Sequence, residues 1–122
     1  MKRVIKNIDM KINIGVDIEK IDKFAKHVRN KKYLERIFSI EEISYSISRK
    51  KHLQHLAARF AAKEAIWKAL SSKKKKVVIT DISIKNDKFG KPCVYIKNKR
   101  YKKINISLSH TDKYVVAFAI AF

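Results

Sequence analysis

The feature that most restricts the fold is an uninterrupted stretch, residues 51–70, that contains neither glycine nor proline. Alanine and leucine are frequent in it, and both residues favour helices. The stretch therefore predicts one long helix, which we expect to end at the basic run Lys73 to Lys76. The other elements have to be arranged around this helix.

Shorter elements are predicted before the long helix. Alternating aliphatic residues indicate a half-buried strand, with Ile12, Ile14, Val16 and Ile18 on one face. Residues 19–30 carry apolar side chains at helical spacing on a polar background. Ser39 and Glu42 form a capping-box signature, which predicts a short helix.

The segments after the long helix indicate strands. Residues 77–84 and 93–96 are predicted to pair around a turn at residues 86–90. Another strand covers residues 104–108. Residues 114–122 are almost wholly apolar, so we expect that strand to be buried on both faces or at a subunit interface. This order predicts a single α+β domain, residues 1–122, with helices packed on one face of a mostly antiparallel sheet.

Glu64 lies where an apolar side chain is expected. At about 100° per residue, it falls within one stripe of the long helix, which consists of Leu53, Leu56, Ala57, Phe60 and Trp67. A carboxylate on such a stripe is costly unless it is paired or bound to a metal. Either Glu64 forms an ordinary pair with Lys68 at the edge of the stripe, or its carboxylate faces a cleft; spacing leaves both interpretations open.

Asp17 is a second candidate carboxylate. It follows Gly15 on the non-aliphatic face of the first strand, and glycine permits close approach by a ligand or by another backbone. Asp17 is either a solvated strand-end or helix-capping residue, or it works with Glu64. Two carboxylates with nearby cations could hold Mg²⁺ against a pyrophosphate. The sequence contains no zinc-ligand spacing, phosphate-binding loop or nucleophile elbow.

The net charge of the chain restricts the possible classes of binding partner only in part. Thirty Lys and Arg against eleven Asp and Glu give a formal net charge of +19, which favours polyanionic partners. An AT-rich coding bias explains the lysine excess equally well. Cys93 is the single cysteine, which suits a reducing cytosol. Neither a transmembrane-length apolar run nor a signal-peptide pattern is present, so we expect a cytoplasmic protein without a membrane partner.

Three ordered segments carry a family resemblance. Residues 14–21 (IGVDIEKI) and residues 59–69 (RFAAKEAIWKA) resemble the two signatures of holo-(acyl-carrier-protein) synthases, members of the phosphopantetheinyl transferase family. Residues 90–92 (GKP) and 107–111 (SLSHT) resemble the hairpin turn and the histidine-bearing strand of that family. The likeness covers roughly residues 12–122, and its second signature is the most specific part.

The resemblance implies a ferredoxin-like α+β fold that forms a homotrimer with active sites at the subunit interfaces. It implies transfer of 4′-phosphopantetheine from coenzyme A to a serine of apo-acyl carrier protein, which releases adenosine 3′,5′-bisphosphate and supports fatty acid biosynthesis. The metal would be Mg²⁺, held by Asp17 and Glu64, and Lys68 would bind the phosphates and assist the leaving group. The implied coenzyme A site comprises Arg59, Lys63, Lys68, Pro92, Ser109, His110 and Thr111.

The same resemblance places the acidic carrier protein against Lys23, Lys32 and Arg36, and charge complementarity would speed the encounter. The chain departs from the family pattern at three points. Lys23 stands where the family usually has arginine, and Ala58 where it has glycine. Residues 71–76 (SSKKKK) replace a glycine-rich stretch, and these lysines could attract a phosphate of coenzyme A.

Two other classes of function fit the sequence only in part. A small nucleic-acid-binding domain would suit the charge, but no strand carries the aromatic-rich pattern that stacks bases, and Tyr95 and Tyr101 are isolated. Nucleic acid is therefore not an expected partner. A non-enzymatic module that only binds carrier protein would leave Asp17 and Glu64 without a role.

Overall fold

The computed structural model describes residues 11–71 and 76–122. Helices and strands occur in an order that matches the predicted one. In chain order the elements are β1 (Asn13–Lys20), a 3₁₀ helix (Ile21–Phe24), α1 (Lys31–Glu35), α2 (Ile40–Ile47), α3 (His52–Ser71), a second 3₁₀ helix (Ile79–Asp81), β2 (Ile82–Asn86), β3 (Pro92–Ile96), β4 (Lys99–Arg100), β5 (Ile104–His110) and β6 (Tyr114–Ala121).

The strands form two antiparallel sheets of three strands each. The order is β1-β6-β5 in the first sheet and β2-β3-β4 in the second. The α+β class is confirmed, although the strands are divided between two sheets rather than joined in one. Helix α3 packs against β1 and β6, and the main hydrophobic core lies between this helix, the first sheet and strands β2 and β3 of the second sheet.

The contact between α3 and β1 depends on Gly15. A Cβ atom at this position would lie 1.9 Å from the carbonyl oxygen of Ala65, far inside van der Waals contact. Glycine therefore allows the helix to approach the strand backbone closely. Of the two roles considered for this glycine, the structure shows approach by another backbone.

The first sheet has one covered and one uncovered face. Strand β6 buries the four side chains that face α3, which are those of Val115, Ala117, Ala119 and Ala121. The opposite face exposes Ile14, Val16 and Ile18 of β1 beside Phe118 of β6. Strand β1 is half-buried, as its alternating pattern predicts, and its aliphatic side is the one that helix α3 leaves uncovered. Its polar side faces inward instead, because glycine and alanine allow the helix to lie close there.

Two local predictions also need correction. Residues 19–30 do not form a continuous helix: a 3₁₀ helix ends at Phe24 and turns follow. Phe24 packs into a second core with Leu34, Phe38 and Leu56. Strand β2 begins at Ile82 rather than at residue 77, because a 3₁₀ turn precedes it. Lys73 to Lys75 of the basic run lie outside the described residues.

Glu42 connects three elements. As predicted, Ser39 and Glu42 cap α2 reciprocally. The Glu42 carboxylate also accepts a hydrogen bond from the backbone N–H of Ile84 and pairs with Lys63 of α3, and both charged side chains are fully buried. Lys63 donates a second hydrogen bond to the carbonyl of Ile37 at 2.6 Å.

Within the described ranges, no helix is long and apolar enough to span a membrane.

Candidate active site

The inward side of β1 presents Asp17 to helix α3. Lys68 of that helix donates a hydrogen bond to the carbonyl of Val16 at 2.9 Å, and its Nζ lies 3.4 Å from Oδ1 of Asp17. The close approach at Gly15 is the reason that a lysine on the helix can reach the strand backbone. The structure therefore brings two of the predicted site residues, Asp17 and Lys68, into direct contact.

Glu64 lies one helical turn before Lys68 and is half-buried. Its side chain makes no hydrogen bond or ion pair with any residue that the structure describes. The ordinary Glu64–Lys68 pair is thus absent, because Lys68 turns to Asp17 instead. The predicted stripe around Glu64 is also only partly buried, since Trp67 is 41% exposed. Glu64 lies at the border of the core, and its carboxylate has no partner among the described residues.

Lys68 compensates the negative charge of Asp17 only in part. Burial and the adjacent carboxylate of Glu19 raise its pKa to about 7, against the opposing effect of Lys68. Its Oδ2 atom is buried without a hydrogen-bond partner among the described residues. Burial acts to raise the pKa of Glu19, but the hydrogen bond from Lys23 and the positive charges of Lys23 and Lys68 lower that pKa overall. An unpaired oxygen beside a second carboxylate fits a divalent cation, and Mg²⁺ needs only one or two protein carboxylates when phosphate and water complete its shell.

A cavity of about 440 Å³ lies at the other edge of the first sheet. It is bounded by α2, α3, the β2–β3 hairpin and β5. Four of the predicted coenzyme A residues line it, namely Arg59, Pro92, Ser109 and His110. The capping of α2, the long helix and the hairpin turn at Gly90, whose φ is 82°, set its walls. Glycine is favoured at that turn because φ is positive there.

The cavity is electropositive. The Arg59 side chain is only 4% exposed, and burial lowers the pKa of its guanidinium. Burial and the nearby charges of Arg59, Arg49 and His110 lower the pKa of His55. Cations held together in a partly desolvated pocket are stabilised by a bound anion.

Three predicted coenzyme A residues do not line this cavity, namely Lys63, Lys68 and Thr111. Lys68 contacts Asp17 instead. The Lys63 ammonium is held in the core by Glu42 and Ile37, so its placement indicates a structural role. Thr111 follows His110, and its hydroxyl accepts hydrogen bonds from the backbone N–H groups of Lys113 and Tyr114. Thr111 thus shapes the β5–β6 turn beside the cavity.

The cavity is also lined by three residues that the sequence did not predict, which are Tyr45, His55 and Asn86. Their spacing in the sequence does not indicate a shared site, because they come from separate elements.

The Asp17 group and the cavity lie on different sides of α3. Arg59 and Lys68 are nine residues apart, so they project about 180° apart around the helix. They are also separated by about 13 Å along its axis. Strand β6 separates β1, which carries Asp17, from β5, which carries Ser109 and His110. One chain therefore presents two partial sites rather than one complete site.

The residues expected to face the carrier protein belong to one substructure. Lys32 and Arg36 are exposed on α1 and at its C-terminal cap. Lys23, on the first 3₁₀ helix, pairs with Glu19 at 2.8 Å, and its ammonium lies 3.9 Å from the centre of the Phe60 ring. The second core, which contains Phe24 and Leu34, holds these two elements together.

Comparisons with known proteins show the family of the chain. The sequence profile of the 4′-phosphopantetheinyl transferase superfamily matches residues 13–119. The holo-[acyl-carrier-protein] synthase of Clostridium tetani is 40% identical over 120 residues, covering 91% of this chain and 95% of its own. That of Thermodesulfovibrio yellowstonii is 42% identical over 109 residues, covering 88% and 95%.

A solved structure gives the same result for the fold. The holo-(acyl-carrier-protein) synthase of Bacillus anthracis, crystallised in complex with CoA (3′,5′-ADP), superimposes with a TM-score of 0.72 and 30% identity. The match covers 89% of this chain and 94% of that one.

Proposed function

The chain belongs to the 4′-phosphopantetheinyl transferase superfamily, and we propose that it performs the reaction for which its relatives are named. It transfers 4′-phosphopantetheine from coenzyme A to a serine of apo-acyl carrier protein, in support of fatty acid biosynthesis. The observation that carries the proposal is a buried oxygen of Asp17 without a partner among the described residues, which lies at one edge of the sheet and has an electropositive cavity at the opposite edge. Its single cysteine, Cys93, is free, which supports a place in the reducing cytoplasm.

The cavity binds coenzyme A. Arg59 supplies a guanidinium that suits a phosphate, and His110 and Ser109 add hydrogen-bonding groups at the end of β5. Pro92 and the hairpin turn form the opposite wall. Because Arg59 is buried, its attraction to an anion is screened less by solvent than that of the surface lysines.

Asp17 and Glu64 would hold Mg²⁺, and the buried Oδ2 of Asp17 has no other partner among the described residues. The ion would supply charge neutralisation on the pyrophosphate. Lys68 donates hydrogen bonds to the phosphate oxygens from the same side. The serine Oγ of the carrier forms a bond to the β-phosphorus, and the bond to adenosine 3′,5′-bisphosphate breaks. The serine proton passes to Glu64, whose carboxylate has no other partner among the described residues.

A homotrimer completes the site. The uncovered face of the first sheet exposes large apolar side chains on two adjacent strands, including Ile14, Val16 and Phe118. Such a face on a small protein marks an interaction surface. Subunits joined through it place the Asp17 group of one chain against the cavity of its neighbour, which supplies the half that each chain lacks.

The carrier protein binds at Lys23, Lys32 and Arg36. All three cations lie on the substructure that follows β1, so they are close along the chain to the carboxylate group. An acidic carrier that docks on α1 brings its serine towards Asp17 and Glu64.

The direct test is incubation with coenzyme A, Mg²⁺ and apo-acyl carrier protein, followed by mass measurement of the carrier. The carrier should gain the mass of phosphopantetheine. Asp17→Asn and Glu64→Gln should each lower the rate by at least about a hundredfold, because each removes charge from the reacting centre. Glu41→Gln, on the exposed part of α2, is the matched control and should retain the full rate.

An unchanged carrier mass with the wild-type chain would refute the transfer. Full activity in the presence of excess chelator, with transfer otherwise intact, would refute the assignment of Mg²⁺ alone.

A further inference from the structure

Arg59 is an unusual buried residue. Its side chain is 4% exposed, yet within the described chain it forms no ion pair with a carboxylate, and its Nε has no acceptor. A buried guanidinium without a counter-ion is costly. Something other than a carboxylate therefore has to hold it in place at the cavity.

The aromatic ring of Tyr45 performs this task. The central carbon of the Arg59 guanidinium lies 3.9 Å from the centre of the Tyr45 ring, and that of Arg49 lies 3.3 Å from it. Two guanidinium groups this close to one centroid cannot share a face, so they occupy opposite faces. Arg49 also donates a hydrogen bond to the Tyr45 carbonyl at 2.8 Å, which fixes the outer group.

The hydroxyl of Tyr45 is held from a third direction. Asn86, at the end of β2, donates a hydrogen bond to it at 3.0 Å. The edge of the ring contacts His55, with ring centres 5.5 Å apart. Tyr45 thus joins α2, α3 and the hairpin at the wall of the cavity, where Arg59 and Asn86 both lie.

We propose that Tyr45 is a positioning residue for coenzyme A: it holds the Arg59 guanidinium by stacking so that its donors face the bound phosphate. The proposal rests on the coenzyme A site described above. Tyr45 lies outside the segments that resemble the family signatures. Its ring replaces the carboxylate that usually orients a buried arginine. A carboxylate there would compete with the phosphate for the guanidinium N–H groups, whereas an aromatic face does not accept hydrogen bonds in this way.

The test is calorimetric binding of coenzyme A to Tyr45→Leu, Tyr45→Phe and the wild-type chain. Loss of the ring should raise the dissociation constant roughly five- to twentyfold, the range of a desolvated cation–π contact. Tyr45→Phe keeps the ring and should stay within about threefold of the wild type. Tyr33→Leu is the matched control, since Tyr33 stacks on His27 away from the cavity.

A double-mutant cycle distinguishes a positioning effect of Tyr45 on Arg59 from a general loosening of the cavity. In an Arg59→Ala background, adding Tyr45→Leu should change the dissociation constant by less than about twofold. At saturating coenzyme A, the turnover of Tyr45→Leu should stay within about twofold of the wild type, because the loss is in binding. If Tyr45→Leu does not fold, Tyr45→Met serves in its place.

Wild-type affinity in Tyr45→Leu, or additive losses in the cycle, would overturn the proposal while coenzyme A binding by the wild type leaves the enzyme assignment intact. Failure of the wild-type chain to bind coenzyme A would instead overturn the assigned function together with this inference.

Discussion

Single residues in the cavity respond to the charge around them, and His55 is the most useful reporter. Burial lowers its pKa from the ordinary value of 6.5, and the neighbouring Arg59, Arg49 and His110 act in the same direction. The side chain is therefore neutral at pH 7 in the ligand-free protein. An anion bound at Arg59 offsets the positive potential that keeps the proton away.

We predict that coenzyme A raises the pKa of His55, which NMR titration of its imidazole resonances can follow. His27, stacked on Tyr33, is the control and should not respond. Because the pKa is lower in the folded state than in the unfolded state, His55 disfavours folding at acid pH. Its contribution to stability is complete above pH 6.5 and is lost as the pH falls towards the folded pKa. A His55 titration that is unaffected by coenzyme A would place the phosphate elsewhere.

Elements show how far sequence reasoning extends. Helix α3 and the capped helix α2 were predicted almost to the residue, because propensity and capping are local properties. The orientation of β1 was not predictable in this way. Its aliphatic side is the obvious core face, and only the contact of Gly15 with Ala65 reverses that preference.

The residues of the candidate site were likewise predictable only where they belong to a local sequence motif. Asp17, Lys68 and Arg59 follow from motifs; the structure brings Asp17 and Lys68 into contact and places Arg59 at the wall of the cavity. Lys63 shares the motif but points into the core, because its position on the helix meets Glu42 of α2. Contacts between separate elements, such as this pair, leave no spacing in the sequence.

The Glu42–Lys63 pair gives a stability prediction. Glu42→Gln leaves the fully buried Lys63 ammonium without its counter-charge, so we expect a loss of about 3–5 kcal/mol in the free energy of unfolding. Replacing both partners by apolar residues of similar size, Glu42→Leu with Lys63→Met, should cost much less than either single change. Urea denaturation measures both quantities. Equal losses in the single and double variants would mean that the pair is not coupled in this way.

The whole molecule presents an apolar sheet face on one side and a large excess of positive charge. The proposed trimer uses the apolar face, whereas the proposed docking of the carrier protein uses the positive charge. Each property therefore has its own test.

Phe118→Glu should dissociate the proposed trimer into monomers, because it introduces a charge at the centre of the uncovered face. Sedimentation velocity provides the measurement. Phe89→Glu is the matched control: Phe89 is 83% exposed at the hairpin tip, away from that face, and should leave assembly unchanged. A wild-type chain that is monomeric and fully active would contradict the trimer.

Arg36→Glu should weaken use of the carrier protein much more than binding of coenzyme A, since Arg36 lies at the exposed end of α1. The wild-type rate at subsaturating carrier should fall as salt rises, because exposed charges are screened. Equal losses for the two substrates, or a rate independent of salt, would show that the carrier docks elsewhere. The charge excess would then be attributable to genome composition.

The projection of Arg59 and Lys68 from opposite sides of α3 has a genetic consequence. If each working site borrows Arg59 from one subunit and Lys68 from its neighbour, two dead alleles can rescue each other. Co-expression of Arg59→Ala and Lys68→Ala chains in equal amounts should give mixed trimers in which about one quarter of the sites are wholly wild-type. Two inactive proteins would then yield an active mixture, an outcome that a chain with both residues in its own site cannot produce.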